Sequence, residues 1–451
     1  MATLHARLTE GPVRQHLVKL TVPMIWGILA LMLFYLTDTW FVAQLGAKEL
    51  AAISFSFPVI MVLISLGIGL MAGTSSVLAR AIGEGNQDRV RRLTSDAAAL
   101  SVLVSFVVTL AGLLTIEPVF RLLGASDDLL PLIHDYMAIW YAGYVCFLVP
   151  MVGNGVIRAT GDSRLPSQLL VGAAVLNLIL DPLLIFGWLG FPRLELQGAA
   201  IASVASRVVA MLLGFYVLQF RLHMITYQVP SLAMLLDSWR RVLHVGLPAA
   251  GTNIIIPVST AVIIALIADF GSEAVAGFGI ATRIEGVSLV VFFAMSAIIG
   301  PFVGQNLGAG KAERIHEAMR ISGGFCLGLG VLLAIALAAA AEPLARLFND
   351  DPQVVAVASL YLWLVPISYG TAGIIMVANA AFNGLGNPLP AVVISVTRMF
   401  VIYIPLAYAG AYFFDVSGIF VAASLSNLLV GAAAYVWHQR VNQRRLMSHS
   451  R

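Results

Sequence analysis

The chain has 451 residues, of which 11% are charged and 60% apolar, with a mean hydropathy of +0.93. Soluble domains carry about 25% charged residues, and no globular core absorbs this much apolar surface, so lipid must cover much of it. The net charge of +3 says little by itself, and no nucleic-acid partner is expected.

Residues 1–16 contain Arg7, Glu10 and Arg14 and lack a short apolar core ending in a small-residue cleavage site, so no cleavable signal peptide is expected. Apolar runs follow at about 17–44, 50–79, 94–116, 131–157, 165–190 and 197–220. A polar stretch at 221–241 carries Arg221, His223, Asp237, Arg240 and Arg241. Six more runs fall at about 242–269, 274–303, 316–341, 353–382, 388–413 and 417–438. Each is long enough for a membrane-spanning helix and is continuously apolar, unlike the alternating segments of a transmembrane barrel. The expected fold is an all-α polytopic membrane protein of twelve helices. Its halves are 1–220 and 242–451, with 221–241 as a cytoplasmic linker.

Lysine and arginine set the orientation. With the N-terminus in the cytoplasm, nineteen of the 26 fall on the inside, from Arg7 and Arg14 through Arg89, Arg91 and Arg92 to Arg451. Only Lys48, Arg121, Arg193 and Arg346 fall outside, and Arg207, Arg283 and Arg398 lie within spans. Both termini are therefore expected in the cytoplasm.

The chain also repeats itself at an offset of 225. AIGEGNQDRV (81–90) matches NLGAGKAERI (306–315), aligning Gly83 with Gly308, Gly85 with Gly310 and Arg89 with Arg314. The same offset pairs Pro23 with Pro248, Gly46 with Gly271 and Tyr136 with Tyr361. Six spans per repeat give both halves the same orientation, the arrangement of transporters whose parallel repeats are related by an axis along the membrane normal.

Ionisable residues inside spans are costly and mark candidate sites. Asp38 lies in the first span, and Asp181 in the fifth, with Asn177 four residues before it on the same helix face. Pro182 follows and cannot donate the usual backbone hydrogen bond. The repeat partners of the acids are Ile263 and, after a one-residue shift, Pro405, so this acidic pair is expected in the first half alone. That one-sidedness favours an ion or proton site over a packing role. Arg283 and Glu285 in the eighth span point to different faces and need partners on other helices, for which Arg207 and Arg398 are candidates. These four read as interhelical glue, as a second relay or as substrate contacts. Cys146 and Cys326 read as small buried hydrophobes, and no histidine or cysteine spacing suggests a metal. No phosphate-cradling or catalytic-triad motif appears, so an enzyme is not expected.

LTEGPVRQHLVKLTVPM, DTWFVAQLG, NLILDPLLIFG and QGAAIAS, in this order over about 8–440, resemble the multidrug and toxic compound extrusion family. The resemblance implies two six-helix lobes in a V and export of drugs, often organic cations, in exchange for protons or sodium by alternating access. It implies a monomer in the cell inner membrane, in contact with lipid, with drug-like small molecules as substrates and no cofactor beyond the coupling ion. Asp38 matches the family's first-helix acid. Asn177 and Asp181 match the fifth-helix pair of the DNA-damage-inducible-type branch. Ser203 stands where that branch often has a threonine, and Pro23 matches the proline about which the first helix bends. The seventh-helix and tenth-helix acids of the norfloxacin-exporter branch have no counterpart here. The oily seventh span and Phe292 and Phe293 in the eighth suggest substrate contacts. A lipid or lipid-linked-precursor flippase of the same shape is the alternative, kept alive by Arg207, Arg283 and Arg398.

Overall fold

The computed structural model describes residues 6–228 and 230–449, with side chains through residue 440; Arg451 of the inside set lies outside the described residues. The first half runs α1 (Val13–Ala43), α2 (Ala47–Gly83), α3 (Gln87–Leu122), α4 (Leu130–Ala142), α5 (Tyr144–Ala159), α6 (Arg164–Ile185) and α7 (Glu195–Tyr216). The second runs α8 (Leu232–Ala268), α9 (Ser272–Ser288), α10 (Val290–Gly308), α11 (Ala312–Ala339) and α12 (Ala341–Arg346). It continues through α13 (Pro352–Leu364), α14 (Tyr369–Gly384), α15 (Leu389–Val396) and α16 (Ile404–His449). Two wide π-helical turns, at Val217–Arg221 and Thr397–Tyr403, extend α7 and join α15 to α16.

Among the described residues ten helical stretches are long and apolar enough to cross a membrane, or eleven with the bent pair α4 and α5 taken as one span. The stretch Leu389–Arg440 contains both of the last two predicted spans. They part at Phe414 and Asp415, where Asp415 takes φ 51°. The protein is thus an all-α polytopic membrane protein. Its surface inverts the soluble pattern: Phe106, Leu110 and Leu114 on α3 are 66%, 53% and 73% exposed, as suits a lipid-facing stripe. Polar side chains turn inward instead and satisfy themselves locally. Ser56, Ser65 and Ser105 each donate to the carbonyl four residues back.

The chain divides into two compact units that do not follow the repeat boundary. One comprises Met1–Arg7 with Val22–Ala250, the other Leu8–Thr21 with Gly251–Arg451. The stretch 221–241, read from sequence as a linker, therefore packs within the first unit. Thr226 donates its N–H to Ser95 Oγ, and Trp239 donates its indole N–H to the Asp96 carbonyl. The start of α8 packs there too, because Gly69 and Gly73 on α2 lack a Cβ that would strike the carbonyls of Gly246 and Val242. In the second unit, Leu8–Thr21 plays the corresponding part, since 8 plus 225 falls at the start of α8. Both divisions fall within three residues of the paired prolines Pro23 and Pro248, where each long helix lacks a backbone donor.

A buried acid pair beside a caged arginine

Asn177 and Asp181 are one turn apart on α6 and have no exposed surface, while Asp38 on α1 is 9% exposed. The Asn177 Nδ2 donates to Asp181 Oδ1 at 3.1 Å. Asp38 interacts electrostatically with Asp181, so two carboxylates from different helices act on one another. Asp38 Oδ1, Asn177 Oδ1 and Asp181 Oδ2 are each buried without a hydrogen-bond partner among the described residues. Buried acceptors are rarely left so; the two carboxylate oxygens are free to take a proton, and all three to face a cation.

Arg207 on α7 completes the group. Its guanidinium lies 4.9 Å from the ring centres of Phe34 and Trp140 and 5.2 Å from that of Phe147. Its Nη1 donates to the Ser203 carbonyl at 2.8 Å. It interacts electrostatically with Asp38, Asp181, Tyr35 and Tyr136. Ser203, 2% exposed, thus enters through its backbone, as the anchor of Arg207. From sequence Arg207 is a candidate partner for Arg283 and Glu285; it faces the first-half acids instead, and of the two candidates only Arg398 faces Glu285. A guanidinium and carboxylates inside the same half are the signal that pairs them. Pro23 lies within the continuous α1, and its carbonyl accepts from Ser167 Oγ at 2.5 Å.

The second lobe is less one-sided than the repeat comparison expects. Ile263 replaces Asp38 and is buried, yet this lobe builds its own charged cluster from other positions. Glu285 on α9 accepts at Oε2 from the Tyr361 hydroxyl at 2.5 Å. Arg398, in the π turn, donates to Asn427 Oδ1 at 3.3 Å, and Asn427 donates to Ser368 Oγ at 3.0 Å. Glu285 and Arg398 interact electrostatically. Tyr136 and Tyr361 are repeat partners, but the acids they face, Asp38 and Asp181 for one and Glu285 for the other, come from non-corresponding helices. Arg283 is exposed, on a different face from Glu285. Phe292 has no accessible surface and packs on Gly373, where a Cβ would come within 2.5 Å of its ring; it is a core residue of this lobe. Phe293 beside it is 38% exposed. Cys146 is half-buried, Cys326 is buried, and both are free thiols.

A helical membrane protein with a repeated six-span unit and charged groups enclosed inside each lobe has the make-up of a secondary transporter. The family model MatE matches residues 23–183 and 248–409, two stretches that begin 225 residues apart. The chain is 42% identical over 434 residues to the FAD transporter of Shewanella oneidensis, covering 96% of each chain. It is 26% identical to the probable multidrug resistance protein NorM of Thermotoga maritima, over 89% of this chain and 87% of that one. Among solved structures, the MATE transporter VcmN of Vibrio cholerae in its bent form aligns with a TM-score of 0.92 and 32% identity, over 96% of this chain and 98% of that one. The chain belongs to the MATE family. It is a multi-pass membrane transporter of small molecules and not an enzyme.

Proposed function

We propose that this chain is a secondary antiporter of the cell inner membrane, exporting organic compounds in exchange for protons or sodium by alternating access. Asp38, Asn177 and Asp181, with Ser203 beside them, are its coupling site. The observation that carries this reading is the buried carboxylate pair with free oxygen atoms in the first lobe, from two helices that the repeat does not duplicate in kind. Charge is tolerated at such depth only where it does work or is paired. Binding of the ion at this pair, next to the Pro23 segment of α1, would bias the first helix between two arrangements. The lysine and arginine distribution supports both termini in the cytoplasm.

The test is efflux from cells or proteoliposomes carrying Asp38→Asn or Asp181→Asn. Either change should abolish gradient-driven export of every compound alike while leaving the protein folded. Export by Asp38→Asn at the wild-type rate would refute the assignment.

For the substrate, the 42% identity to a protein named an FAD transporter favours a flavin dinucleotide as the first compound to try, ahead of the drugs suggested by a 26% identical relative named a probable multidrug resistance protein. The names of these relatives favour soluble organic compounds over a lipid. Counterflow of FAD against ethidium in proteoliposomes separates the two substrate classes.

A further inference from the structure

Arg207 is bound into the first lobe by more than its charge. Three aromatic rings from α1, α4 and α5 surround the guanidinium, and the Ser203 carbonyl holds one end. Phe34 is 6% exposed, Trp140 4% and Phe147 9%, so the cage is closed by buried side chains. Arginine stays charged at every physiological pH. The groups facing it are Tyr35 and Asp38 on α1, Tyr136 on α4 and Asp181 on α6. Against two ionised carboxylates, one fixed guanidinium leaves the cluster with a single net negative charge.

A sodium ion and a proton meet such a cluster differently. A bound metal ion keeps its full charge, needs a shell of several oxygen atoms, and would have to be held beside a cation that cannot move away. A proton needs one oxygen. It turns a carboxylate into a neutral carboxyl whose O–H can donate to an acceptor, and the Asn177 Oδ1 is buried without a partner on the same helix face as Asp181. Asp38 Oδ1 and Asp181 Oδ2 are the oxygen atoms free to receive it.

We infer that Arg207 is the resident countercharge of the acid pair, a positioning residue that makes the proton, rather than sodium, the coupling ion. This rests on the reading of Asp38 and Asp181 as the coupling site and names the ion that site takes.

The experiment uses the full chain in proteoliposomes, with FAD and ethidium as transport probes. Efflux is driven either by a pH gradient without sodium or by a sodium gradient at equal pH. Wild type should respond to the pH gradient and be indifferent to replacing sodium by choline. Arg207→Gln should become sodium-responsive, by about fivefold or more, as removal of the fixed charge opens the site to a metal cation. Arg207→Lys should keep the wild-type ion preference. Binding of radioactive sodium to detergent-purified wild type gives a second readout that needs no variant of Arg207: none should exceed the level seen with Asp38→Asn. Wild-type efflux driven by sodium at equal pH, sodium binding that Asp38→Asn removes, or a folded Arg207→Gln that stays blind to sodium would each overturn the inference. If Asp38→Asn itself exports like wild type, the coupling-site reading fails and takes this inference with it. If Asp38→Asn is uncoupled but wild type runs on sodium, only the role of Arg207 fails.

Discussion

Replacing Arg314 by alanine should release the N-terminal segment from the second unit. Residues 8–11 precede α1 and hold their place mainly through side chains of the α10–α11 corner. Leu8 donates its N–H to Gln305 Oε1 at 3.0 Å, and Asn306 Nδ2 donates to the Leu8 carbonyl at 3.2 Å. Lys311 Nζ donates to the Thr9 carbonyl at 2.8 Å. Arg314 does most: Nη1 reaches the Gly11 carbonyl at 2.7 Å, Nη2 the Leu8 carbonyl at 3.0 Å, and Nε the Asn306 side chain at 2.9 Å. A hydrogen bond from a charged donor is worth about 1.5–3 kcal/mol when desolvated. These are partly exposed and share partners, so the loss should total about 2–3 kcal/mol. Leu8 itself, 1% exposed, keeps its apolar anchorage. Local opening of the segment should then rise about 30- to 150-fold, read as faster amide hydrogen exchange at Leu8. The repeat supplies the control. Arg89, the partner of Arg314, makes an ion pair with Glu84 whose side chains are 31% and 41% exposed. Arg89→Ala should therefore change little, within about 1 kcal/mol. Exchange at Leu8 that stays within threefold of wild type in Arg314→Ala would refute the anchoring argument.

Phe292→Ala should cost about 3–5 kcal/mol of stability through the cavity it leaves against Gly373, measured by thermal unfolding in detergent. Phe293→Ala should cost far less, and only it should alter the range of compounds exported; a spectrum change confined to Phe292→Ala would contradict this. Gly112→Ala drives a methyl group into the Tyr141 ring and should destabilise the first lobe by about 1–3 kcal/mol. Tyr361→Phe leaves Glu285 Oε2 without its donor and should cost about 1–3 kcal/mol, a loss that a wild-type melting profile would rule out. In the loop before α4, the Ser126 hydroxyl, then the Asp128 backbone N–H, and then Lys48 hold the Asp128 carboxyl below the usual carboxylate range. A depressed carboxylate contributes stability above its unfolded pKa and loses it as pH falls through the folded value. Asp128→Asn should therefore lower stability slightly at neutral pH and progressively less as pH falls below the usual carboxylate range, and an equal loss at neutral and acid pH would sink this reading.

The spans, the repeat and the acid-bearing helices were legible in the sequence because each is a local property. A run of apolar residues long enough to cross lipid must be helical wherever it sits, since the bilayer leaves no other partner for its backbone. Duplicated turn glycines keep their spacing, and Asn177 with Asp181 is fixed by the helical period alone. Which residue meets which across helices was set only by tertiary structure. Arg207 joins Asp38 although 169 positions separate them (207 − 38), because the rotation of α7 and α1 about their axes turns both side chains inward. The orientation of α10 about its own axis puts Phe292 in the core and leaves Phe293 half exposed, a difference of one residue that hydropathy does not see. In the second lobe, charge alone offered Arg398 as a partner for Glu285, but that Tyr361 donates to the same carboxylate depends on how three separate elements pack. The exchange of Leu8–Thr21 into the second unit also has no local signature. It depends on carbonyls before α1 finding donors some 300 residues away, and a chain's backbone carries no mark of the side chains that will reach it.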